Sequence, residues 1–298
     1  MTSVQGRLGV GIIGMGRVGP VIGAALRAAG HTIVAVNAHS DDARERAEAV
    51  LPGVPLASVD EVLERCEVII LAIPDEQIEP LVAGLADLGR WQMGQIVIHL
   101  AGPYGTSILA RAQAAGAIPL AIHPSMAFTG WSLDVHRLTG APFVITAPAP
   151  FLPIAQALVV EMGGEPVVVG EEQRAVCHAA LTLGANTMMA GVVTAAGALE
   201  VAGIDSPGTI MAALLHMTLD RVLDEGVRAI EPPVAGIDAA AVKTHMSALV
   251  DAGEEEAARA YARATRDLVH ILAAQGRLAE RGADAIEVAL LDGENSAT

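Results

Sequence analysis

The sequence predicts an α/β domain built on a mainly parallel sheet, followed by an all-helical half. Near-continuous Val/Ile/Leu runs alternate with helical patterns through the first half, as strands covered on both faces do. After Gly170 the strand signal stops and only long helical patterns follow. Apolar residues make up 52% of the 298 residues and aromatics only 2%. Small aliphatic side chains must therefore fill the core, which favours close helix–sheet and helix–helix packing. This length allows two domains, with expected bounds 1–170 and 171–298.

Candidate strands are 7–13, 32–37, 67–73, 95–100, 118–122, 142–147 and 166–169. Helical stretches fall at 17–29, 41–50, 75–87, 105–115 and 150–162. Gly30 is placed to end the first helix, and Gly163-Gly164 the one before the last strand. Asp41, Asp42 and Asp75 stand where helices open and read as caps. In the second half, Glu171-Glu172 opens a helix to about 202, and Asp205-Ser206-Pro207 one to about 224. Asp238 caps a helix to about 250, and Glu254-Glu255-Glu256 opens a helix to near Gly276. Residues Asp292 to Thr298 are expected to fray.

The formal net charge of −16 argues against nucleic acid and anionic membrane surfaces as partners. Cys66 and Cys177 are the only cysteines. They read as buried free thiols rather than a disulfide framework. The N-terminal apolar segment is the first strand and lacks a cleavage site, so a cytoplasmic location is expected. Ala175 to Leu199 carries no Asp, Glu, Lys or Arg and is long enough to cross a bilayer. It also carries His178, Thr182, Asn186, Thr187, Thr194 and three glycines. This polarity favours a helix buried in a protein core over a membrane span.

Gly14-x-Gly16-x-x-Gly19 stands between the first strand and the first helix. In that context it reads as a phosphate-cradling turn. Gly14 permits the tight turn, Gly16 lets the backbone approach a pyrophosphate, and Gly19 lets the helix pack on the strand. The helix N–H groups and its positive dipole end then face the anion. Gly14, Met15, Gly16, Arg17, Val18 and Gly19 are thus cofactor-binding candidates. The second strand ends in Asn37-Ala-His39-Ser40. An NAD site usually carries Asp or Glu there, and its absence leaves room for a 2′-phosphate. Asn37, His39 and Ser40, with Arg44 or Arg46 one turn on, therefore favour NADP over NAD. The strand ends at Ile73-Pro74 and Ala101-Gly102 are small enough for a flat ring to approach. His123 should project at the rim where a nicotinamide would lie.

His178, Thr182 and Asn186 recur at i, i+4 and i+8 and form one polar stripe. Such a stripe serves either hydrogen bonding between helices or a donor set facing the cofactor. Hydride transfer to a carbonyl or imine needs a proton donor. His178 can supply it, Asn186 can orient a small-molecule substrate, and His123 completes the catalytic candidates. Lys243 is the single lysine, so no lysine acid stands on this helix. No His-x-x-x-His or Cys-x-x-Cys pair suggests a metal, and no metal is expected.

The segments Gly14-Met-Gly-Arg-Val-Gly19, Ala72-Ile-Pro-Asp75, Ile122-His-Pro-Ser-Met-Ala-Phe-Thr-Gly130 and His178-Ala-Ala-Leu-Thr-Leu-Gly-Ala-Asn186 carry a family likeness. The chain resembles bacterial oxidoreductases that pair a Rossmann-like N-terminal domain with a helical C-terminal domain of unassigned function. They belong to the superfamily of pyrroline-5-carboxylate reductase, ketopantoate reductase and 6-phosphogluconate dehydrogenase. The resemblance implies a 6-phosphogluconate dehydrogenase C-terminal-like helical domain, NADP binding, and a homodimer formed by that domain around the substrate. The glycine loop, the acid-free second strand end and the polar helix stripe point to an NADP-dependent reductase of a small carbonyl or imine, such as the 2-keto acid ketopantoate. A non-catalytic NADP-binding or sensing protein is the alternative. Two departures stand out: His39 and Gly236 where the pattern carries arginine. The first weakens phosphate recognition, and the second weakens recognition of a carboxylate substrate.

Overall fold

The computed structural model describes residues 8–231, 234–236 and 238–295. Part of the loop Pro232 to Asp238 and the last three residues of the expected fraying end lie outside the described residues. The chain forms two compact units that divide between Leu181 and Thr182.

In the first unit the strands are β1 (Gly9–Ile13), β2 (Thr32–Asn37), β3 (Val68–Leu71), β4 (Ile96–His99), β5 (Ile118–Pro124), β6 (Pro142–Thr146) and β7 (Glu165–Val168). They form one sheet in the order β2-β1-β3-β4-β5-β6-β7. The first five pair in parallel, β6 runs antiparallel to β5, and β7 is parallel to β6. Every residue of β3 and β4 is buried, which is why both read as unbroken apolar runs.

The helices of this unit are α1 (Gly19–Ala28), α2 (Asp41–Val50), α3 (Val59–Arg65), α4 (Asp75–Asp87), α5 (Ala110–Ala114), α6 (Leu133–Arg137) and α7 (Leu152–Glu161). They cover both faces of the sheet. Ile12, Ile22, Ile70, Ile98, Phe143 and Leu158 fill one layer. Ile13, Val62, Ile69, Leu71, Ile78 and Val97 fill the other. Each such side chain contributes about 1.5–3 kcal/mol by leaving water.

Short α3 and α6 were not legible from periodicity, because neither runs long enough to repeat it. Ser58 still signals α3: its hydroxyl accepts from the Glu61 N–H, and the Glu61 carboxylate returns to the Ser58 N–H.

The strand signal ends at Val168, and α8 (Arg174–Val201) follows. Within this chain α8 is little buried: Arg174 is its only buried residue. By length and composition the helix Glu171–Val201 can cross a membrane, and none of its most apolar stretch is buried within the chain. An uncharged sequence records that a helix avoids water, not which molecule covers it.

The second unit adds α9 (Pro207–Glu225), α10 (Ala239–Asp251), α11 (Glu255–Ala274) and α12 (Glu280–Asn295). Val242, Met246, Ala258, Ala262, Leu272, Ile286 and Leu290 form its core. The fraying expected from Asp292 is corrected as far as Asn295. Asp292 pairs with Lys243 at 2.8 Å, and Gly293 lies against Met246, where any side chain would collide. The sequence reading ended its helices near Gly276 and so missed α12, whose apolar residues are interleaved with charges.

Candidate functional site

The strand order places a switch point between β1 and β3, where connections leave the sheet toward opposite edges. A groove of about 500 Å³ opens there. It is lined by Gly14, Met15 and Gly16 after β1, by Asn37, His39 and Ser40 after β2, and by Ala43 and Arg46 of α2. Ala72, Ile73 and Pro74 after β3 and Gln77 of α4 complete one wall. Among the described residues, no Asp or Glu lines it.

The three glycines of the loop do different work. Gly14 has φ +99°, and a side chain there would overlap the Ala72 carbonyl. A side chain at Gly19 would overlap the Gly14 carbonyl. Gly19 thereby lets α1 start close to the strand ends, and Gly23, which faces Ile12 and Leu51, continues that close packing one turn on. Gly16 has nothing within 4 Å of where a Cβ would stand. The N-terminus of α1 has no side-chain cap and no acidic residue in its first turn. Open backbone beside an uncapped helix N-terminus fits a pyrophosphate.

At the end of β2, Asn37 donates to the Ala57 carbonyl at 2.8 Å, so its amide ties the loop. Ser40, not Asp41 or Asp42, caps α2 by accepting from the Ala43 N–H at 3.2 Å. Arg44 points to solvent and pairs with Asp41 at 2.7 Å. Arg46 lines the groove instead, its guanidinium donating to the Asp42 carbonyl at 3.1 Å. Helical spacing decides this: Ala43, Arg46 and the buried Ala47 share one face of α2, and Arg44 lies off it.

A second cluster forms beyond β4 and β5, at the start of α8. The His178 ring lies on Gly102, where any side chain would overlap it. It meets His123 edge-on, with centroids 5.3 Å apart and planes at 84°. His123 Nδ1 is 3.0 Å from the Leu100 carbonyl. A carbonyl only accepts, so Nδ1 carries the proton and Nε2 is left as an acceptor. Burial pushes His123 below its ordinary value; the Leu100 bond opposes this, and the charges of His178 and Arg174 add to it.

Arg174 was missed by sequence reading. Its side chain is fully buried and donates to the Ala101 carbonyl at 2.9 Å, the Thr146 hydroxyl at 3.2 Å and the Val144 carbonyl at 3.3 Å. Burial lowers its pKa to about 10. It ties the first turn of α8 to the ends of β4 and β6, and His178 follows one turn later on the same face. One residue before the uncharged stretch, on the His178 stripe, it was there to be found. Glu171 adds a second tie by accepting from the N–H groups of Thr106 at 2.8 Å and Ser107 at 3.0 Å.

Asp75 is not a cap: Pro74 holds the N-cap position of α4. Burial raises the Asp75 carboxyl, the charge of His178 lowers it, and Glu76 raises it. His99 is a core residue whose Nε2 donates to the Gly105 carbonyl at 2.7 Å. Cys66 is buried and Cys177 half-buried, both as free thiols.

Of the sequence candidates, Gly14, Met15, Gly16, Asn37, His39, Ser40, Ile73 and Pro74 line the groove. Arg17, Val18, Gly19, Arg44, Ala101 and Gly102 do not. Ala101 and Gly102 instead seat Arg174 and His178. His123 and His178 meet. Asn186 and Thr182 belong to the second unit and are exposed in the chain. Among the described residues no cluster of three or more His, Cys, Asp or Glu can hold a metal.

Residues 2–124 match the family described as a Rossmann-like domain. Residues 141–268 match the domain of unknown function DUF2520. The chain is a Rossmann-like domain joined to a DUF2520 domain. Since the DUF2520 match begins at 141, it takes in β6, α7 and β7, so the sheet direction reverses where that match starts. No curated protein matches the chain.

Solved structures share the fold at low identity. A protein of Bacteroides fragilis inferred to be an NADP oxidoreductase is 20% identical, with TM-score 0.71, over 89% of this chain and 98% of its own. A reductive aminase from Aspergillus terreus in complex with NADPH and ethyl-5-oxohexanoate is 16% identical, with TM-score 0.67, over 95% and 99%. An imine reductase from a Pseudomonas species is 18% identical, with TM-score 0.61, over 83% and 88%.

Proposed function

We propose that the protein is an NADP-dependent oxidoreductase acting on a small carbonyl or imine. One observation carries the reading: the groove at the β1/β3 switch point has open backbone at Gly16, and His39, Ser40 and Arg46 at its far end, with no Asp or Glu among its described lining residues and the Asp42 carboxylate 3.9 Å from the Arg46 guanidinium. Open N–H groups suit a pyrophosphate, and a guanidinium beside a hydroxyl and an imidazole suits a 2′-phosphate. The fold shared with a reductase that holds NADPH supports the choice.

NADPH, when bound, supplies the hydride. The remaining chemistry falls to this chain. His178 is the proton donor to the carbonyl oxygen or imine nitrogen. His123, with Nδ1 tied to Leu100, presents a single acceptor and orients its neighbour. Arg174 holds α8 in place without touching substrate. The 2-keto acids, ketopantoate among them, belong to the class to be tested. Leu183, Met188, Met189 and Val193 on α8 and Leu214, Met217 and Leu223 on α9 are exposed. A second copy of the chain is the proposed cover, giving a homodimer.

Fluorescence titration with NADPH, followed by NADPH oxidation against 2-keto acids, ketones and ketone–amine mixtures, tests the reading. Binding, turnover and its loss in His178→Ala are expected. Tight binding with no turnover on any member of the panel makes the protein a sensor instead. Absence of binding overturns the reading.

A further inference from the structure

The segment between the two matched families carries a carboxylate that the reading above does not use. Asp134 opens α6 and is fully buried. Its Oδ2 accepts from the Thr129 N–H at 2.6 Å, the Thr129 hydroxyl at 2.9 Å and the Gly130 N–H at 2.9 Å. Arg137 donates to Oδ1 at 3.3 Å. Burial works to raise the carboxyl, but these donors outweigh it and hold it below its ordinary value. A buried carboxylate with this many partners fixes the conformation of residues 129–134.

What is fixed is Gly130. It has φ +92°, a left-handed conformation that side chains rarely adopt. A Cβ built on it would stand 3.0 Å from the Arg17 Cα and 3.3 Å from the Arg46 Cδ. The loop therefore rests on the glycine-rich turn and on the alkyl stem of the one arginine that lines the groove. On its other side the Arg46 guanidinium donates to the Asp42 carbonyl. Arg46 is held between α2 and Gly130.

We propose that Asp134 and Gly130 form a clamp that positions Arg46 and thereby sets the preference for NADPH over NADH. The inference rests on the proposed NADP site. Asp134 acts through Gly130 and Arg46 and touches no ligand, so it is a positioning residue. Gly130→Ala strains the turn and pushes on Arg17 and Arg46. Asp134→Asn removes the charge that gathers the three donors.

The test is the ratio of dissociation constants for NADH and NADPH in wild type, Gly130→Ala, Asp134→Asn, Arg46→Ala and the Arg46→Ala/Gly130→Ala double variant. Thermal unfolding of each variant accompanies it. Charge-assisted contacts to a phosphate are worth enough that the ratio should fall about tenfold in Gly130→Ala and Asp134→Asn. NADH affinity should change little in Arg46→Ala, which leaves the glycine-rich turn untouched, and the NADH/NADPH ratio of the double variant should fall no further than that of Arg46→Ala. If Asp134→Asn does not fold, Gly130→Ala and the double variant decide. Wild type that prefers NADPH, with an unchanged ratio in the folded variants, overturns the clamp alone. Wild type that binds neither dinucleotide overturns the proposed function, and the clamp with it.

Discussion

Two glycine turns at the strand ends use the same residue in opposite ways. In the turn after β1, Gly16 faces open space. In the turn after β4, Gly102 and Gly105 are filled by the chain itself, by the ring of His178 and the carboxylate of Glu171. At the second turn Glu171 accepts from backbone N–H groups, which is the contact an anion makes with such groups. An open glycine beside uncapped N–H groups marks a place kept for a ligand. A filled one marks a place where a side chain of the same chain is held in register.

That contrast can be broken at its most buried member. His99 holds the Gly105 carbonyl, and burial, aided by the charge of Arg174 and opposed by the Gly105 bond, pushes it from 6.5 down to about 4. The unfolded chain therefore binds more protons than the folded one between those values, and stability falls as pH drops through that window. The loss from His99 should reach about 3 kcal/mol. Urea unfolding across the window should show it in wild type, with a flatter profile in His99→Gln. Equal profiles would mean that the filled turn does not depend on a neutral His99.

Gly102→Val should displace the His178 ring. Misplacing a proton donor by about 1 Å costs on the order of a hundredfold in kcat. NADPH affinity should hold, since Gly102 does not line the groove. A variant with full kcat would remove His178 from the chemistry.

Gly16→Ala should do the reverse. With open space around it, unfolding stability should stay within about 0.5 kcal/mol. A methyl group against the pyrophosphate should weaken NADPH binding about tenfold. Calorimetry showing unchanged affinity would place the cofactor elsewhere.

The smallest effect is expected at Glu171→Ala, which removes an exposed cap and should cost about 1 kcal/mol. Thermal unfolding measures it. A loss of activity far beyond that of stability would show that Glu171 helps to place His178.

Most of the fold was legible because burial on both faces leaves β1 to β6 as apolar runs, and the helices between them are long enough to repeat. Alpha-helical segments α3 and α6 were too short to do so, and α12 was hidden by its charges. The groove was half legible. Gly14, Gly16, His39 and Ser40 sit at strand ends, where position along the chain implies position in space. Arg46 over Arg44 turned on which side of α2 faces the groove. Glycine roles were less legible still: Gly16 and Gly102 look alike in sequence, and only their neighbours separate them.

The sequence by itself determined the alternation of strands and helices, the glycine-rich turn after β1 and the absence of an acid after β2. These are local properties, written in the spacing of apolar residues and in single positions at strand ends. Tertiary structure alone decided that Arg174 would be buried under Ala101, that His178 would lie on Gly102 beside His123, and that Asp134 would hold Gly130 against Arg46. Apart from the local bond of Asp134 to Gly130, those contacts join residues far apart in the chain, and their meeting depends on sheet order and packing rather than on any local pattern.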